Sequence, residues 1–339
     1  MLCYDRVLEI NPRHALAWSN KATAFSALGQ HREAIVCCEQ ALAIDSWNAR
    51  AWDNKGCALS TLGHRQEAIA CHDRALQINP HFAQYWCNKG AVLSDLERKE
   101  DAIVCYDRAL AVDPALAGAW FNKGLALSAL GRMQDAVICY DRALNINPRL
   151  AVAWHNRGCA LSDLGRPQEA IVCYDRALEV EPRYSKAWNM KGNAWLDLGR
   201  PQEAIACYDQ ALRIDPRLAV GWFNRGNAMS NLGHVQEAIA CYDRALEIDP
   251  SYTDAWNNRG NGLSALAQHQ EAIVCFDRIL QINPQWYYAW FNRGAPLVAL
   301  GRKQHAVESY RQFIARASAS DRQLIERAEQ LLAELGSDL

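Results

Sequence analysis

The chain has 339 residues, half of them hydrophobic, and its 36 Lys and Arg against 38 Asp and Glu leave a formal net charge of −2. The two signs are interspersed, so the clustered positive charge of a nucleic-acid footprint is absent. No run reaches the ~20 apolar residues that cross a bilayer, and no charged-then-apolar leader opens the chain, so neither a membrane span nor a secretion signal is expected.

A tryptophan recurs every 34 residues from Trp18 to Trp290 without an insertion. A period in the range of about 20–50 residues marks a stacked-repeat architecture rather than a compact domain with one active site. Taken in chain order, residues 1–14 match only the second half of the repeat, so the chain is expected to be a piece of something longer. Nine full repeats follow, at 15–48, 49–82, 83–116, 117–150, 151–184, 185–218, 219–252, 253–286 and 287–320, with tryptophan at position 4 of each. In 151–184, Ala151, Trp154, Gly158, Leu161 and Leu164 follow the three-and-four spacing of one helix face. Gly165 breaks that helix, and Pro167 sits where a new one starts without losing a hydrogen bond. Ala170, Ile171, Tyr174, Ala177 and Leu178 form the second face, and Glu181-Pro182 stops it because the residue before proline is pushed out of the helical region. Each repeat is therefore read as helix–turn–helix.

Glycine stands at position 8 in eight repeats, with Ala22 in the first, and alanine at position 20 in all nine. A glycine inside a helix costs about 1 kcal/mol against alanine. Its recurrence predicts a close approach by the partner helix. After the last repeat, Ser320 and Gln323 read as a capping box. It opens a cap helix over 321–339 with Leu324, Ile325, Ala328, Leu331, Leu332 and Leu335 on one face. A free-standing amphipathic membrane helix is the rival reading of that segment.

The thirteen cysteines resemble a disulfide or metal framework until the period is applied. Nine of them, from Cys3 to Cys275, share one position of the repeat. They would lie about a repeat apart, beyond the ~7 Å Cα reach of a disulfide. They read as small apolar fillers, and so many thiols favour a reducing compartment, the cytoplasm. No shared histidine position, nucleophile–base pair, metal-ligand spacing or phosphate loop is present, so no enzyme activity, cofactor or metal is expected. Cys71-His72 stands alone and reads as part of a solvated face. The repeated Tyr-Asp-Arg of the second helices reads as one apolar contact plus a solvated charge ladder.

Trp at position 4, Gly at 8, Gly at 15, Ala at 20, Tyr at 24, Ala at 27 and Pro at 32 resemble the tetratricopeptide repeat; in 151–184 these are Trp154, Gly158, Gly165, Ala170, Tyr174, Ala177 and Pro182. The departures are Lys or Arg at position 7, a usual Leu at position 11, Glu97 and Ala267 in place of the turn glycine, and Ser46 in place of the proline. The resemblance implies an all-α, right-handed superhelical solenoid of nine repeats with a half-repeat before and a cap after. It also implies that the first helices line a concave groove. Position 6 holds Asn20, Asn54, Asn88, Asn122, Asn156, Asn224, Asn258 and Asn292, interrupted only by Met190. This is similar to the asparagine ladder of O-GlcNAc transferase and kinesin light chain type arrays, where the amides bind a peptide main chain. A side-chain amide can pair with any peptide group, since it both donates and accepts. The alternative is that the asparagines are relics of repeat duplication.

Asn193, Asn227 and Asn261 at position 9 should join the groove, with Phe121, Phe223, Phe291 and Tyr288 as aromatic anchors. The family subtype that clamps a terminal carboxylate is not expected. It needs lysines and an arginine that are missing here, and Lys186 stands alone. The expected function is a non-catalytic scaffold that binds an extended peptide or a partner helix. The alternatives are a regulatory array within a larger enzyme, and self-association through the open N-terminal half-repeat. The near-identity of the repeats also allows an architectural spacer with no ligand.

Overall fold

The computed structural model describes residues 2–336. They form two compact bodies, 2–180 and 181–336. In the first, α1 (Leu2–Ile10) precedes five helix pairs: α2–α3 (Ala15–Ala27, His31–Ile44), α4–α5 (Ala49–Thr61, Arg65–Ile78), α6–α7 (Ala83–Asp95, Lys99–Val112), α8–α9 (Ala117–Ala129, Met133–Ile146) and α10–α11 (Ala151–Asp163, Pro167–Val180). The second holds α12–α13 (Ser185–Asp197, Pro201–Ile214), α14–α15 (Ala219–Asn231, Val235–Ile248), α16–α17 (Thr253–Ala265, His269–Ile282), α18–α19 (Tyr288–Ala299, Lys303–Ile314), a 3₁₀ turn (Ala319–Asp321) and α20 (Arg322–Gly336). No strand occurs among the described residues, and none of their helices is long and apolar enough to cross a membrane.

Both turns of the repeat follow from local chemistry. Seven glycines between the paired helices have φ of +68° to +89°, the left-handed region where a Cβ is penalised. Glu97 and Ala267 hold the same conformation at φ 60° without that freedom. Replacing Ala267 by glycine is expected to stabilise the second body by about 0.5–1 kcal/mol, the relieved strain exceeding the added unfolded-state entropy. Urea denaturation checks this through a raised midpoint. At the link between repeats, Asp or Asn accepts the backbone N–H two residues on, as Asn147 does from Arg149 at 3.1 Å and Asp215 from Arg217 at 3.1 Å. This Asx turn and the following proline stop the second helix together.

The core of each pair is a ring against a glycine. A Cβ on Gly90, Gly124, Gly158, Gly192, Gly226 or Gly294 would lie 2.2–2.6 Å from the position-24 tyrosine of the same repeat. Phe276 takes that place against Gly260, and His72 against Gly56. Where position 8 is Ala22, position 24 is Cys38, and both are buried. The expected close approach by the partner helix is made by a ring edge. His72 corrects the reading of Cys71-His72 as a solvated face. It is fully buried, with Nδ1 2.8 Å from Asp53 Oδ1.

Neighbouring repeats are joined by polar contacts. The indole N–H of Trp18, Trp52, Trp86, Trp120, Trp154, Trp188, Trp222 and Trp256 donates to the carbonyl six residues back, at 2.9–3.2 Å. The position-7 cation pairs with the acid at position 25 of the repeat before: Lys21–Asp5, Lys55–Glu39, Lys89–Asp73, Lys123–Asp107, Arg157–Asp141, Arg225–Asp209, Arg259–Asp243 and Arg293–Asp277, all at 2.5–2.8 Å. Part of the Tyr-Asp-Arg ladder is thus bonded between repeats rather than solvated. Arg157, Arg225 and Arg259 also donate to the buried thiols of Cys173, Cys241 and Cys275 at 2.8–3.0 Å. The cysteine column is buried except at Cys3, as expected of fillers.

The cap begins two residues before the expected box. Ser318 and Asp321 form the reciprocal capping pair, and α20 follows. Ala328 and Leu335 are buried, and Leu324, Ile325, Leu331 and Leu332 pack on the core of α18–α19. The expected cap residues 337–339 lie outside the described residues. Helix α18 runs on past the buried Pro296.

Candidate functional site

All eight position-6 asparagines sit on first helices and are half-buried. Most of their N–H donors are turned toward the preceding repeat. In the first body, Asn54 Nδ2 donates to Ser19 O at 3.3 Å and Thr23 Oγ1 at 3.0 Å. Asn88 Nδ2 donates to both Asp53 oxygens at 3.1 and 3.0 Å. Asn122 reaches only the Cys87 sulfur, at 3.8 Å, and Asn156 bonds Val152 O of its own helix at 2.7 Å. In the second body, Asn224 donates to Asn189 and Asn193 at 3.3 and 3.0 Å. A relay then runs from Asn292 to Asn257 (2.8 Å), from Asn257 to Asn258 (3.1 Å) and from Asn258 to Asn227 (2.8 Å). The ladder is therefore an inter-repeat structural device, whatever else it does.

The position-9 asparagines divide by what faces them. Asn193 Oδ1 accepts from Tyr208 Oη at 2.7 Å, and Asn227 Oδ1 from Tyr242 Oη at 2.9 Å. In the repeat of Asn261 the position-24 residue is Phe276, which has no hydroxyl to donate. Asn261 is exposed and makes no hydrogen bond among the described residues. It lines two adjoining clefts. One, of ≈ 390 Å³, is walled by Asn227, Ser230, Asn231, Tyr242 and Asn258. The other, of ≈ 540 Å³, is walled by Phe291, Asn292, Val298, Tyr310, Arg327 and Leu331. The second combines an apolar floor with convergent polar groups, the usual composition of a ligand site.

The expected aromatic anchors are partly committed to the fold. Phe121 and Phe223 stack on Tyr140 and Tyr242, each with centroids 6.0 Å apart. Phe291 stands 5.1 Å from Phe313 and still lines the larger cleft. Tyr288 is not an anchor of either cleft. Its hydroxyl donates to Asp321 Oδ1 at 2.7 Å, beside Tyr287 on Oδ2 at 2.9 Å, and so ties α18 to the cap. That bond, with others from Tyr287 and Ser318, holds the Asp321 carboxyl below its ordinary range. Asn20 makes no hydrogen bond among the described residues and lines neither cleft. Arg327 and Leu331 were missed as site residues because the cap helix reads as a solubilising end. Its register relative to α18 is not in the sequence pattern.

Tetratricopeptide repeat signatures match residues 15–48, 49–82, 83–116, 115–183, 155–219, 219–252 and 253–285. The chain belongs to the tetratricopeptide repeat family. Among solved structures, it is similar to YrrB, described as a TPR protein with an unusual peptide-binding site, at 23% identity over 54% of this chain and 95% of that one, with a TM-score of 0.48. It is also similar to MamA, at 24% identity over 48% of this chain and 96% of that one, with a TM-score of 0.46. The search of curated proteins gave no match.

Proposed function

We propose that this tetratricopeptide array is a non-catalytic interaction scaffold. It takes an extended peptide along the first-helix face of α14, α16 and α18 and anchors it in the cleft beside α20. The observation that carries this reading is Asn261, an exposed amide at the junction of the two clefts that makes no hydrogen bond among the described residues. It can donate to and accept from one peptide unit at once. Asn292 Oδ1 is open to a second N–H, while its Nδ2 is held by Asn257. Phe291, Val298 and Leu331 would take an apolar side chain, and Arg327 an acidic neighbour. The many reduced thiols fit a protein of the cytoplasm.

A peptide selected from a random-sequence library against the intact chain provides the probe. Asn261→Ala should weaken it by about tenfold, the effect of one or two neutral hydrogen bonds. The melting temperature should not move, because Asn261 supports nothing in the fold. Equal affinity for wild type and Asn261→Ala would overturn the reading.

A further inference from the structure

In the first body, four polar side chains meet where other repeats hold a tyrosine ring. His72 replaces that ring and is fully buried, and its Nε2 has no hydrogen-bond partner. Its Nδ1 lies 2.8 Å from Oδ1 of the buried Asp53. Cys57 stands one turn beyond Asp53 on α4, and Asn88 Nδ2 bridges the two, 3.0 Å from Asp53 Oδ2 and 3.5 Å from Cys57 Sγ. One ligand atom from each of Asp53, Cys57 and His72 lies within 4.8 Å of the other two.

A buried ring nitrogen without a partner is costly to the fold. An imidazole grouped with a carboxylate and a thiol is also a donor set that a cation requires. We propose that Asp53, Cys57 and His72 form a site for one divalent cation of the zinc class. The four-residue spacing puts the carboxylate and the thiol on one face of α4, and α5 brings the imidazole to it. Nitrogen, oxygen and sulfur together select a borderline-soft metal over calcium or magnesium. Zinc bonds of about 2.0–2.3 Å place neighbouring ligand atoms roughly 3.3–3.8 Å apart, within the 4.8 Å span of the three, and the 2.8 Å Asp53–His72 hydrogen bond gives way to the cation on binding. The cation displaces the Cys57 thiol proton to solvent. Carboxylate and thiolate then balance its two charges, and the imidazole stays neutral.

Cobalt(II) is the probe, because a thiolate ligand gives it a charge-transfer band in the near ultraviolet. The metal-free chain is titrated beside Cys57→Ser and His72→Tyr. His72→Tyr installs the residue of the neighbouring repeats and keeps the fold, as its circular dichroism melt should show. The expected result is a band saturating at one equivalent in wild type and binding at least tenfold weaker in both variants. Absence of the band in wild type, or wild-type binding by either variant, would overturn the site and leave the cluster as a polar plug in the core.

Discussion

Replacing Asp53 by alanine is expected to destabilise the first body by about 3 kcal/mol, the lower end of what breaking a buried pair costs. The carboxylate is the partner of His72 Nδ1 and accepts from Asn88 on both oxygens. Alanine leaves a fully buried imidazole with neither nitrogen bonded and leaves Asn88 Nδ2 only the Cys57 sulfur as acceptor. Asp53→Asn keeps an acceptor of the same shape and should cost clearly less. Combining Asp53→Ala with His72→Tyr should recover most of the loss, because the second change removes the group left unpaired. Chemical denaturation of wild type, Asp53→Ala, His72→Tyr and the double variant, all made metal-free, measures this coupling. A single Asp53→Ala variant within about 0.5 kcal/mol of wild type, the range of an ordinary surface substitution, contradicts it.

Gly158→Ala is the second large effect, and two rules oppose each other there. Helix propensity favours alanine by about 1 kcal/mol. Packing opposes it, since the new Cβ would stand 2.6 Å from Tyr174 Cε1 and 2.9 Å from Cδ1 and Cζ. The ring is fully buried and its hydroxyl lies 3.7 Å from Cys159 Sγ, so it has no open side to move to. Overpacking of this kind costs about 1–3 kcal/mol or more, and a net loss of about 2 kcal/mol is expected. The chain contains its own suppressor in the Ala22–Cys38 pair. Gly158→Ala should therefore do less harm in a Tyr174→Cys background than in wild type. A raised melting temperature for Gly158→Ala alone would show that propensity wins.

The helix pairs were legible in the sequence because the period repeats the same local signals nine times. The site was legible only in outline. Position 6 can face a ligand, a neighbouring repeat or both, and spacing does not choose among these. The structure shows the N–H side turned to the neighbour in Asn54, Asn88, Asn224, Asn258 and Asn292. Asn261 lacks both donors that Asn193 and Asn227 receive, because Phe276 fifteen residues on carries no hydroxyl and the Asn292 amide turns to Asn257 instead. His72 was misread because it was judged beside Cys71. Judged in its column, where the other repeats carry Tyr106, Tyr140 or Tyr174, it falls among buried rings. The start of the cap was misplaced because Ser318 and Ser320 are both plausible helix caps, and only the position of Asp321 against Tyr287 and Tyr288 separates them.

The polar contacts between repeats share a polarity. Within each body the later repeat supplies the donor, whether indole, ammonium, guanidinium or amide, and the earlier repeat supplies the acceptor. A polypeptide emerging from the ribosome at about 5–20 residues per second delivers one repeat every few seconds. Each new pair of helices thus meets a surface whose carbonyls and carboxylates are already in place. It need not wait for anything still unsynthesised. Assembly has a built-in direction, and it is the direction of translation.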